Sequence, residues 1–104
     1  QEAPPFTHWV RVILRGPIEQ AVQSVAFDMS DVIRDVVQKR DLAIKVLGPA
    51  PCPITKLQSN YRFHFLLSAV DLNAVRILWR DLRPTLPTDR SVEFVVDVDP
   101  INLR

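Results

Sequence analysis

VLGPAPCPITKLQSNYRFHFLL, from Val46 to Leu67, holds the clearest strand of the chain and its hardest segment to place. In its second half Tyr61, Phe63, Phe65 and Leu67 fall on one side, and Arg62, His64 and Leu66 on the other. A period of two with one apolar side predicts a half-buried strand. The first half closes a shorter strand, 42–47, at Gly48 and then sets prolines at 49, 51 and 53. Proline has no backbone donor, so 49–53 reads as extended, polyproline-like backbone along a sheet edge rather than a central strand. On this reading 48–60 is a stiff connecting arm, and long connections in compact domains usually carry a function. The expectation is that Pro49, Pro51 and Pro53 pack against a neighbouring domain. The alternative is that they only guard the edge from pairing with another chain.

Outward from this stretch the other elements follow. HWVRVILR, 8–15, alternates, with Val10, Val12 and Leu14 on one side and Trp9, Arg11, Ile13 and Arg15 on the other. Gly16-Pro17 ends it, and Pro17 suits the first helical position because its missing N–H would be unpaired there. Apolar residues at 18, 22, 25, 29, 32 and 36 predict an amphipathic helix to about Lys39, with Asp28, Asp31 and Asp35 outside. Asp71 is a good N-cap for a second helix with Leu72, Val75, Trp79, Leu82 and Leu86 inside, ended by Pro84 and Pro87. VEFVVDV, 92–98, is the last strand, with Val92, Phe94, Val96 and Val98 expected to face in. The order βαββαβ predicts an α+β two-layer sandwich of the ferredoxin-like type. Its four-stranded antiparallel sheet has order 4-1-3-2, with two helices on one face.

At 104 residues and 47% hydrophobic content the chain suits one domain, 1–104, with a single core. One cysteine, Cys52, cannot form an internal disulfide, and no run approaches the ~18 apolar residues of a membrane span. A cytoplasmic location without a membrane partner is expected. The chain begins with Gln rather than Met, which fits a segment of a longer protein. Net charge is only +1, but residues 17–41 carry five acids and three bases, and residues 42–90 carry seven bases and three acids. One half of the molecule is therefore mildly acidic and the other mildly basic.

With two glycines in all, no phosphate-cradling glycine-rich loop can form, and one cysteine with His8 and His64 is not a zinc set. The same element order serves small acylphosphate hydrolases, but Pro17 in RGPIEQ removes a donor their anion loop would use. Asp97 and Asp99 share a side of the last strand and read as solvated carboxylates near Arg11 or Arg15. No catalytic residue is assigned. Two candidate surfaces remain. Arg76, Arg80 and Arg83 recur at helical spacing, and guanidinium groups suit phosphates. The open sheet face offers Arg11, Arg15, Lys45 and Arg62 for phosphates, interleaved with Trp9, Ile13 and Leu66, which suit a docking interface. The outward positions Arg62 and His64 lack the aromatic pair of RNA-recognition modules.

PPF at 4–6, VLGPAPCPI, YRFHFLL and DVDPINL, in that order, resemble the C-terminal domain of the primosomal protein N′ family of bacterial replication-restart helicases. The resemblance spans nearly the whole chain. It implies a non-catalytic domain that grips branched or single-stranded DNA and packs on the helicase core of the same polypeptide. ATP with magnesium, and zinc, would be bound by parts of such a protein upstream of this segment, and this segment itself would hold no cofactor. Single-stranded DNA-binding protein and other primosome proteins are the further partners implied. Where some members receive the acidic tail of that protein, this sequence has Ala69, Asp71 and Asn73. The alternative reading is a free-standing RNA- or single-strand-binding module of the same fold.

Overall fold

Val10, Val12 and Leu14 are fully buried on one side of β1 (His8–Gly16), while Trp9, Arg11 and Ile13 lie half-buried on the other. The computed structural model describes residues 8–57, 59–87 and 89–98, with the side chains of 53–57 left outside the description. The elements that follow are α1 (Glu19–Arg40), β2 (Ile44–Leu57), β3 (Asn60–Ala69), α2 (Leu72–Leu82) and β4 (Glu93–Val98), with a 3-10 turn at Arg83–Thr85. The sheet order is β2-β3-β1-β4, and every neighbouring pair is antiparallel. This is the expected α+β two-layer sandwich. Its core joins Val10, Val12 and Leu14 to Phe63, Phe65 and Leu67 of β3, to Val22, Met29 and Ile33 of α1, and to Val75, Leu78 and Leu82 of α2.

Three expectations need correction. First, the proline stretch is extended backbone at the sheet edge, as expected, but it belongs to the strand itself and is not a separate connecting arm. β2 continues through it, with Ala50 opposite His64, Pro51 opposite Phe63 and Leu57 opposite Asn60, after register breaks at 47–50 and 51–56. An edge strand tolerates proline because only one side of its backbone faces a neighbour. Gly48 stands at the first break with φ +98°, where a side chain would be strained. From α1, Arg34 Nη2 donates to the Gly48 carbonyl at 2.7 Å, so the irregular strand is tied to the helix above it.

Second, α1 begins at Glu19, with Ile18 as an extended N-cap and Pro17 just outside, two residues later than Pro17 suggested. Its buried stripe is also broader than the chosen positions, because Ala26, Ser30 and Ile33 are buried whereas Ile18 is exposed. Asp41 closes the helix in the left-handed region while Leu42 N–H donates to the Val37 carbonyl. Third, Phe94, Val96 and Val98 do lie on the helix side of β4, opposite Leu14, Val12 and Val10, yet Phe94 and Val98 are exposed. The helices pack chiefly over the other three strands and leave the outer rim uncovered.

Candidate nucleic-acid interface

Asp71 Oδ1 accepts from Ala74 N at 3.0 Å, the expected cap that starts α2 and fixes which sides of it face in and out. Val75, Leu78 and Leu82 are buried, and Arg76 and Arg80 stand on the exposed side. Arg83 follows the last α-helical residue but keeps helical dihedrals, so its spacing from Arg80 carries the same side onward. The acid nearest in sequence, Asp81, points elsewhere. Arg40 at the end of α1 donates from Nε to Asp81 Oδ2, which ties the two helices together and occupies that carboxylate. Among the described residues no carboxylate pairs with Arg76, Arg80 or Arg83.

The open face of the sheet reads as cross-strand rows. Lys45, Ser68 and Trp9 form one, and Leu47, Leu66, Arg11 and Asp97 the next. Then come Ala50, His64, Ile13 and Val95, followed by Arg62, Arg15 and Glu93. The candidate cations of this face are thus brought together, but not left equally free. Arg15 Nε is paired with Glu93 Oε1 at 3.0 Å, and Arg11 Nε donates to His64 Nδ1 at 2.9 Å. A weaker contact runs from Arg11 Nη2 to the buried Cys52 Sγ at 3.9 Å. Burial first, then the positive charges of Arg11 and Arg62, hold the His64 pKa below its ordinary 6.5. Trp9, Ile13 and Leu66 supply the apolar part of the face, each half-buried. Pro49 is half-buried and Pro51 exposed at the β2 edge, while the Pro53 side chain lies outside the described residues.

The sequence missed a third feature. A groove of about 320 Å³ lies between the end of α2 and β4, lined by Trp79, Arg83, Leu86, Phe94 and Val96. Its apolar lining reads in the sequence as core, and nothing local says that it stays open. Of the expected acid pair, Asp97 is exposed opposite Arg11, and Asp99 lies outside the described residues, as do Pro4, Pro5 and Phe6. No group of His, Cys, Asp or Glu able to hold a metal occurs among the described residues. None of their helices is long and apolar enough to cross a membrane. At the start of α2, Ala69 is buried and Asp71 is engaged in the cap.

A family model described as "Primosomal protein N C-terminal domain" matches residues 2–101. "Replication restart protein PriA" from Treponema pallidum (strain Nichols) is 26% identical over 100 residues, covering 96% of this chain and 15% of that protein. The protein of the same name from Rickettsia conorii (strain ATCC VR-613 / Malish 7) is 29% identical over 102 residues, covering 95% and 14%. The chain therefore spans only 14–15% of the length of these curated relatives. Among solved structures, the "De novo designed protein Foldit4" matches with TM-score 0.58 at 18% identity over 88% of this chain and 93% of that one. The C-terminal domain of the MgtC protein from Mycobacterium tuberculosis gives 0.52 at 12% identity, covering 100% of both chains. At such identities these two likenesses concern the fold alone.

Proposed function

The chain belongs to the primosomal protein N C-terminal domain family, and on that premise we propose that it serves replication restart as a non-catalytic, DNA-contacting and docking domain. The nucleotide and zinc chemistry of the whole helicase would belong to other parts of the polypeptide, acting in the cytoplasm beside other primosome proteins. In this reading the exposed side of α2 meets DNA phosphates through Arg76, Arg80 and Arg83. The observation that carries it is the Arg40–Asp81 pair, which draws the one intervening acid away from the three arginines. Guanidinium groups at helical spacing bind phosphate oxygens bidentately and stay charged at any working pH. The sheet face has a different task. Trp9, Ile13 and Leu66 dock on the helicase core, and Pro49, Pro51 and Pro53 stiffen the adjoining edge. Arg11, Arg15, Lys45 and Arg62 provide a secondary phosphate surface where that face stays open.

The test is binding of the chain to fluorescent forked, duplex and single-stranded DNA across a salt series, beside a variant with Arg76, Arg80 and Arg83 changed to alanine. If α2 meets the phosphates, affinity falls steeply with salt, and the slope shrinks by up to about three in the variant, one step per lost phosphate contact. An unchanged slope would move the contact to Arg11, Arg15, Lys45 and Arg62. Absence of binding by the intact chain would leave docking as the task of the domain.

A further inference from the structure

The two edges of the sheet are built differently. β2 carries prolines and two register breaks, devices that stop an edge strand from accepting a neighbour. β4 has none of them. Its sequence, EFVVDV, contains no proline, glycine or lysine, and it pairs with β1 without a shift. As the terminal strand of the sheet, it turns its outer backbone groups toward no other strand among the described residues.

Its helix side is apolar, and both of its sides are open to solvent. Phe94 is 43% exposed and Val98 52% on the helix side, and Val95 is 45% exposed on the other. Beside them lies the groove formed with Trp79 and Leu86. An unprotected edge with an apolar flank matches strand addition, in which backbone hydrogen bonds supply affinity and alternate side chains supply choice.

Charge decides what kind of strand fits. On the open face β4 presents Glu93, Val95 and Asp97. Arg15 holds Glu93, but Arg11 turns to His64, so Asp97 pairs with no cation among the described residues. Two copies of the chain joined antiparallel about Val95 would set Glu93 of each against Asp97 of the other. Like charges directly opposite are destabilising. Centred on Val96, the copies would set each Asp97 against a valine and leave it uncompensated.

We infer that the β4 edge accepts an extended segment of a protein partner in which basic and apolar residues alternate. The basic side chains lie over Glu93 and Asp97, and the apolar ones continue the row of Phe94, Val96 and Val98 toward the groove. The site shares Arg83, which lines the groove, with the α2 arginines, but involves neither Arg76 nor Arg80 and does not depend on their binding DNA.

The test is a titration of the isotope-labelled 104-residue chain with a capped peptide alternating lysine and valine, followed by NMR. Controls are a glutamate–valine peptide and a lysine–valine peptide of the same composition with the alternation scrambled. The expected result is amide shifts confined to β4 and the residues lining the groove, from the alternating lysine peptide only. Asp97→Lys, at an exposed position, should keep the free spectrum folded, weaken that peptide about five- to tenfold and admit the glutamate peptide. Equal binding by the scrambled peptide, or shifts on another surface, would reduce the effect to unspecific charge attraction and overturn the assignment. So would the absence of binding. Self-association of the free chain with protected β4 amides would give the edge to a second copy instead.

Discussion

Arg11 and Asp97 stand opposite each other in the β1–β4 ladder, yet the Arg11 guanidinium turns the other way and donates from Nε to His64 Nδ1 at 2.9 Å. That bond needs an unprotonated Nδ1, so the folded chain holds His64 neutral, in line with a pKa lowered by burial and by Arg11 and Arg62. The sheet face thereby keeps Arg11 fixed over β3 and leaves Asp97 to the rim.

The first prediction concerns pH. His64 binds its proton more weakly folded than unfolded, so its contribution to stability is complete above the unfolded value of 6.5 and is lost as pH falls below it toward the lower folded value. Urea midpoints measured between pH 7.5 and 5.5 should decline, and His64→Asn should flatten that decline. An equally steep decline in the variant would assign the effect to other groups.

The clamp between α1 and the β2 break can be separated into its parts. Arg34→Ala removes the hydrogen bond to the Gly48 carbonyl, and a loss of about 1 kcal/mol is expected for this exposed pair. Gly48→Ala should cost more, about 1–3 kcal/mol, because φ is +98° and the new Cβ would lie 3.3 Å from the His64 carbonyl oxygen. Chemical denaturation of both variants checks the order, and a larger loss for Arg34→Ala would contradict it.

Gly16 meets a stricter limit. A Cβ there would collide with the Ser91 carbonyl oxygen, a backbone atom, and would lie 3.1 Å from the Val22 side chain. Gly16→Ala should therefore destabilise the fold by about 2–3 kcal/mol, the upper part of the usual range for overpacking. Thermal unfolding would show it, and a melting temperature equal to that of the parent chain would mean that the turn before β4 moves aside freely.

The Arg40–Asp81 pair is half open to solvent, and its two members sit on different helices. A double-mutant cycle with Arg40→Gln and Asp81→Asn should return a coupling of about 0.5–1 kcal/mol at low salt, shrinking as salt is added. A coupling near zero would mean that the helices are held by their apolar contact alone.

Much of this architecture was legible because β1 and β3 each have one wholly apolar and one mixed side, and α1 and α2 each show one apolar stripe. The length of β2 was not. Pro49 and Pro51 signal a broken ladder, and nothing local says that the missing donors fall at a strand whose outer side has no neighbour. Alternation in β4 told which way Phe94 and Val98 point, but how far a helix reaches over them depends on the packing of α2. For the candidate interface, the spacing of Arg76, Arg80 and Arg83 was readable from the chain. The partner of Asp81 was not, since Arg40 arrives from another helix.

β1 occupies the middle of the sheet although it comes first in the chain, and Ile13 meets His64 on one side and Val95 on the other. Closing the nearer pairing costs less chain entropy than closing the farther one. During synthesis, β1, α1, β2 and β3 can therefore assemble while β4 is still being made. The last strand completes a sheet that already stands, and a ribosome that stops short of it leaves β1 paired with β3 on one side and its other backbone edge open. Cellular quality control would then read an unfinished β4 as an exposed β1.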